Sequence, residues 1–407
     1  MGLREKLEQL ESLRPVRPDE RARTPKVEPP VPRPAPGRGE DPASSFYRER
    51  DFPLEHRHGR VRLDAILARS SKLYALVGKS QILGDVTADQ LLFIDTETSG
   101  LSGGAGTFAF LVGVGYFTER SFRVVQFFMS DLDEESPLLN ALSELVARHH
   151  TVVSYNGKCF DIPLLNSRSV YHRLRSPFEA LRHLDLLHAI RRLWRHRLPD
   201  CSLSSAEQAI LGVQRVGDVP GYLIPHLYFD YLQHKNARAL DAVFYHNQQD
   251  VLSMVGLLDH LLGSFEQPQK GKTSLSQVLA MGQTHEHLNQ VPEAIALYEA
   301  FLPVYPSSFE LRFRLGFGYK KLGEWAKAAD VWHACLETGR FHPLPYIELA
   351  KHYEHRTHDL ETARRLVRKA LSELDVLLAL ERDHKWFGYL EDLQHRQRRL
   401  ERKAKPR

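Results

Sequence analysis

At 407 residues the chain exceeds what one hydrophobic core usually supports, so two folded domains with unstructured flanks are expected. Apolar residues at 42% and charged residues at 26% fit an ordinary globular protein and exclude a fibre, while no run reaches the roughly 18 apolar residues of a membrane span. A formal charge of +4 argues only weakly for nucleic acid, and Cys159, Cys201 and Cys335, with no CxxC pair, exclude a disulfide framework or a cysteine zinc site.

The first residues carry no apolar run of signal-peptide length, so a cytoplasmic protein is expected. Residues 1–44 open with a short amphipathic helix candidate (Leu3, Leu7, Leu10, Leu13) and become proline-rich, which blocks helix and sheet interiors and predicts an extended arm. Over 45–268 the texture is α/β. The runs at 91–98, 108–117 and 123–129 are separated by short turns and predict antiparallel neighbours; a helical stretch over 133–150 then leads to a parallel strand at 151–156. A mixed sheet flanked by helices results.

From 275 strands disappear and a period of 34 appears: Gly282, Gly316 and Ala350, and also Met281, Leu315 and Leu349. With Ala294, Ala328, Tyr319 and Tyr353, this resembles the tetratricopeptide repeat, which implies an all-α domain over 275–378 whose concave surface binds a protein partner. The third unit needs one inserted residue to place Ala363 and Ala370. A basic helical tail over 379–407 reads as a solvated charge run.

Three motifs carry chemistry. In Phe93-Ile94-Asp95-Thr96-Glu97-Thr98, strand residues two apart share a face, so Asp95 and Glu97 present adjacent carboxylates that repel unless a cation lies between them. Oxygen ligands of this kind favour magnesium or manganese. Asp161 follows a strand and turn and sits near the first turn of a helix, where a carboxylate also serves the helix dipole. His246 and Asp250 are four apart on one helical face; read alone, they are a surface pair.

In this order the motifs resemble the DEDD exonuclease family. The surrounding text GLSGGAGTFAFLVGVG, HLDLLHAIRRLW, LPDCSLSSAE and VPGYLIP is similar to the YprB-type branch of the ribonuclease-H-like superfamily over about residues 46–265. The resemblance implies that Asp95, Glu97, Asp161 and Asp250 hold two divalent cations, Mg2+ or Mn2+, for phosphodiester hydrolysis. DEDD enzymes place tyrosine four residues, or histidine five, before the last aspartate, whereas here His246 is at four and Tyr245 at five. In a helix His246 lies about 40° from Asp250 and Tyr245 about 140°, which favours His246 as the base; a helix starting after Tyr245 would reverse that choice, and Lys158 is a third candidate.

Thr98, Gly106, Thr107, Asn156 and Lys158 are the expected substrate-contacting residues. The eight arginines between 168 and 197, with Tyr171 and Trp194, read equally as a single-strand contact surface and as a solvated helix face. Asp185 is either a support for the site or purely structural. The sequence therefore predicts a metal-dependent nuclease acting on single-stranded DNA or RNA from a 3′ end, with repeats that recruit a protein; the alternative is a non-catalytic nucleic-acid-binding or scaffold protein.

Overall fold

The computed structural model describes residues 47–100, 106–269, 271–380 and 386–404; the proline-rich arm with its helix candidate, and Gly103, Gly104 and Ala105, lie outside the described residues. Six strands, β1 (Tyr47–Pro53), β2 (Leu91–Thr98), β3 (Ala109–Phe117), β4 (Ser121–Phe128), β5 (Thr151–Ser154) and β6 (Arg182–Asp185), form one sheet in the order β1-β4-β3-β2-β5-β6. β2, β3 and β4 run antiparallel and β5 joins β2 in parallel, as the turn lengths predict; β1 adds to β4 and β6 to β5.

Both faces of the sheet are covered. Along β2, Leu91 and Phe93 enter one core while Leu92 and Ile94 enter the other, because strand side chains alternate. The first core gathers α1 (Lys72–Gly78) and α4 (Leu186–Trp194); the second gathers α2 (Glu135–Val146), α3 (Asp161–Tyr171) and α5 (Ile224–His234). Helix α6 (Leu240–Glu266), 27 residues and so about 40 Å long, serves both: Val243 and Phe244 enter the second core, and the residues from Val251 to Phe265 enter the first.

Beyond α6 the described chain is helical. The pairs α7 (Leu275–His287) and α8 (Val291–Phe301), α9 (Phe309–Leu322) and α10 (Trp325–Leu336), and α11 (Pro343–His355) and α12 (Leu360–Leu380) repeat one geometry. Their first helices begin 34 residues apart in both steps; the second helices begin 34 and then 35 apart, which is the one-residue insertion the third unit needs. The periodic small residues sit where paired helices touch. A Cβ on Gly282 would lie 2.1 Å from the ring of Tyr298, and one on Gly316 2.2 Å from Trp332.

The basic tail departs from the expected solvated run. Over Phe387–Ala404 it forms α13, which buries Leu393, Arg396 and Leu400. Glu354, fully buried on α11, accepts from Arg396 at 3.2 Å, Arg399 at 2.5 Å and Lys403 at 2.8 Å. The charges spaced along this helix bind a buried carboxylate, and the leucines between them close the end of the array. Among the described residues no helix is long and apolar enough to cross a membrane.

Gly316→Val forces a methyl group into Trp332 and should destabilise the array by about 1–3 kcal/mol in urea unfolding. Gly388→Ala in α13, with nothing within 4 Å of the new Cβ, should cost nothing.

Candidate metal centre

The site forms at the carboxyl end of β2, where the ladder to β3 slips between Glu97 and Thr98. Such bulges re-aim side chains at the end of a strand. Asp95 and Glu97 point towards α6, which packs on β2 and β3 and supplies His246, Asn247 and Asp250 from its amino-terminal half. One ligand atom each from Glu97, His246 and Asp250 lies within 4.8 Å of the others. Helix α6 begins at Leu240, ahead of Tyr245, so the condition that would have favoured Tyr245 is not met.

Asp95 is held from behind. Asn247 donates Nδ2 to its Oδ2 at 2.9 Å and to its carbonyl at 3.3 Å, while Gln126 on β4 donates to Asn247 Oδ1 at 2.9 Å and to the Phe244 carbonyl at 2.8 Å. This approach needs Gly113 on β3, since a Cβ there would lie 2.0 Å from Asn247 Oδ1. A glycine inside a strand is the sequence signal for such a close approach.

Asp161 opens α3 and accepts a hydrogen bond from the Thr96 hydroxyl. The turn before it is tied by Asp185, whose carboxylate accepts from the backbone N–H groups of Asn156 (2.8 Å), Lys158 (3.1 Å) and Leu187 (3.0 Å). Asn156 has φ 67°, and Gly157 is required because a Cβ would meet Ser154 at 2.6 Å and Asp161 Oδ2 at 2.9 Å. Asp185 is thus structural in its contacts and supports the site by placing Asp161. Among the expected substrate contacts, Asn156 and the exposed Lys158 share this turn, the Thr98 hydroxyl donates to the Gly100 carbonyl at 2.9 Å, Thr107 is half-buried, and Gly106 is exposed with open space around it.

Arg215 escapes sequence reasoning. Its guanidinium donates from Nε and Nη2 to Glu207 at 2.7 Å each, from Nη1 to Asp218 at 3.2 Å, and to Asp250 Oδ1. Glu207 stands in a π-helical turn (Glu207–Leu211), a distortion that recurs at functional sites. Glu207 also accepts from Ser253, whose oxygen contacts His58 Nε2 at 2.7 Å, so the imidazole is the donor there. Asp218 in turn accepts from His246 Nδ1 at 2.9 Å. Residues 215 and 218 flank a glycine turn between the LPDCSLSSAE and VPGYLIP segments, Glu207 closes the first of these, and none of these residues, nor His58, carries a period or spacing that points to the acids.

Four of the arginines between 168 and 197 are occupied: Arg168 with Glu135, Arg182 with Asp85, Arg192 on the carbonyls of Leu76 and Val77, and Arg197 on Gln277 and the Lys272 carbonyl. Those four serve structure rather than an open phosphate-binding face.

The electrostatics fit a dication. Burial, then Asp250 and Glu97, push the Asp95 carboxyl well above its ordinary range; burial, then Asp250 and Asp161, do the same at Glu97. Asp161 is pushed up to about 6, chiefly by burial. One guanidinium bonded to Glu207, Asp218 and Asp250 leaves Asp95, Glu97 and Asp161 uncompensated, and a hard cation relieves that repulsion.

A family model described as RNase_H superfamily matches residues 92–262, the span from β2 through most of α6. The uncharacterized protein YprB of Bacillus subtilis is 33% identical over 339 residues, 81% of this chain and 80% of YprB. The chain belongs to the YprB family and carries an RNase_H superfamily domain. Its mixed sheet with flanking helices is the fold of that superfamily, and the matched span contains all four carboxylates.

Removing Arg215 would leave the buried Glu207 and Asp250 without their guanidinium and take one partner from the half-buried Asp218. Arg215→Met should cost about 3–5 kcal/mol in urea unfolding of metal-free protein, and Arg215→Lys, lacking the fork, should recover only part of it. His58 supplies a pH signature. Burial, then Arg215, lowers it from 6.5 to about 4, so between those values the unfolded chain holds the extra proton and stability falls as pH falls. His58→Gln should lose less stability than the native chain across that window, with a difference of at most roughly 3 kcal/mol in unfolding series at stepped pH.

Proposed function

We propose that this protein is a divalent-metal-dependent nuclease that hydrolyses phosphodiester bonds of single-stranded nucleic acid from a 3′ end, and that its helical array, read as tetratricopeptide repeats, recruits a protein partner. The observation carrying this reading is the convergence of Glu97, His246 and Asp250, whose ligand atoms lie within 4.8 Å of one another, with the Asp95 and Asp161 carboxylates near enough to act electrostatically on the same cluster. Asp95, Glu97, Asp161 and Asp250 would hold two ions, Mg2+ or Mn2+, which when bound activate water and neutralise the leaving oxygen.

The protein's own part is positional. Asn247 and Gly113 fix Asp95 against α6; Asp185 and Thr96 fix Asp161; Arg215 takes Oδ1 of Asp250 and leaves Oδ2 facing the pocket. Asp218 accepts a hydrogen bond from His246 Nδ1–H, so Nε2 presents its lone pair to the same pocket, where it can accept a proton from water or bind an ion. Thr98, Gly106, Thr107, Asn156 and Lys158 are the proposed contacts to the strand.

The Arg215–Asp250 pair favours a second reading, because it gives Asp250 a counter-ion without any metal, as a non-catalytic binding or scaffold protein would need. End-labelled single-stranded DNA and RNA, incubated with Mg2+, Mn2+ or EDTA, separate the two. The nuclease should shorten strands from the 3′ end with metal, and Asp95→Ala and Asp250→Ala should fall to the EDTA level. Intact strands with folded native protein and both metals would move the assignment to the scaffold reading.

A further inference from the structure

Glu97 is buried, at 9% exposure, and among the described residues no hydrogen bond reaches its carboxylate. It faces His246 and Asp250, and one ligand atom from each of the three lies within 4.8 Å of the others, so small side-chain adjustments would bring all three to one dication. His246 Nε2 and Asp250 Oδ2 are 3.4 Å apart. That is too long for a good N–H···O bond, but it falls within the roughly 3.0–3.5 Å between adjacent ligands at metal distances of about 2.1 Å.

The atoms behind these donors are already committed. Asp250 gives Oδ1 to Arg215, so Oδ2 is the oxygen free to ligate. His246 Nδ1 lies 2.9 and 3.1 Å from the two oxygens of Asp218, which places the proton on Nδ1 and the lone pair on Nε2. A carboxylate on the far nitrogen is the arrangement that orients ligating histidines and raises their basicity.

We propose that His246 is a metal ligand, forming with Glu97 and Asp250 a mixed imidazole–carboxylate site that takes a first-row transition-metal dication in preference to Mg2+, with Asp218 as its positioning residue. This rests on the metal-nuclease reading and changes two of its parts, the role of His246 and the identity of the ion. All-oxygen sites suit Mg2+, whereas an imidazole nitrogen shifts preference towards transition metals.

Mn2+ is the probe, because its electron spin reports directly bound nitrogen. Pulsed paramagnetic resonance of the Mn2+-loaded native protein should show one imidazole nitrogen coupling, and Mg2+ should displace the ion only in large excess. His246→Gln should lose the coupling and bind Mn2+ at least about 10-fold more weakly, and Asp218→Asn should keep the coupling with an affinity loss of about 10–100-fold. Mn2+ bound without nitrogen coupling, or with equal affinity in native and His246→Gln protein, overturns the ligand assignment; Mg2+-dependent cleavage in the same preparation would show that the nuclease reading survives it. Failure of folded native protein to bind any dication overturns both.

Discussion

Asp95 and Glu97 share one face of one strand, and Asp161 and Asp250 are brought to them from two helices, so four acids stand in a partly desolvated space. Burial first, and then like charges at this spacing, push the Asp95 and Glu97 carboxyls well above their ordinary range. Much of the domain's architecture serves to hold the acids there regardless. The close packing of α6 on β3 through Gly113, the Asn247–Gln126 relay behind Asp95, and the three backbone donors collected by Asp185 all oppose relaxation of the cluster. Rigid placement of this kind is what a metal or transition-state site needs, since a loosened ligand set binds less selectively.

Part of this arrangement was legible from period alone, since strand alternation sets Asp95 and Glu97 on one face and the helical step of four sets His246 beside Asp250; that these belong with Asp161 to one cluster came only from the resemblance in motif order. The relative directions of the strands were legible for the same kind of reason, since short turns force antiparallel neighbours and a helical crossover permits a parallel one. The groups that balance the acids were not. Arg215 reaches Glu207, Asp218 and Asp250 across 8, 3 and 35 residues of sequence, and His58 reaches Ser253 across 195. Such pairings have no period and depend on a π-helical turn and a glycine turn whose geometry appears only once the domain is assembled.

The arginine-rich stretch and the basic tail show the other limit. A run of charge reads as solvated unless the opposite charge is seen, and the partners here, Glu135 for Arg168 and Glu354 for the tail, lie 33 and more than 40 residues away. Composition alone could not distinguish a surface for a polyanion from cations bonded to acids and carbonyls elsewhere in the fold. The repeat was more readable: glycine at a 34-residue step marks a helix crossing with no room for a Cβ, and Tyr298 and Trp332 fill that space at the same step.

A stack of helix pairs buries a continuous core only if its ends are closed. In this chain the two ends are closed differently. At the far end α13 supplies Leu393 and Leu400 to the core and three cations to Glu354. At the near end the first pair is closed by the nuclease-like domain itself: Met281 and Leu288 belong to the same buried cluster as Phe93 of β2, Arg197 donates to Gln277, and Gln81 donates to the Leu288 carbonyl. Helix α6 spans this arrangement, with His246 and Asp250 in its first half and Asp259 and Glu266, both bonded to Arg69, towards the array. The array is therefore built onto the sheet domain through shared core rather than through a separate solvated face, and a partner bound along the array would be held at a fixed position relative to the acidic cluster.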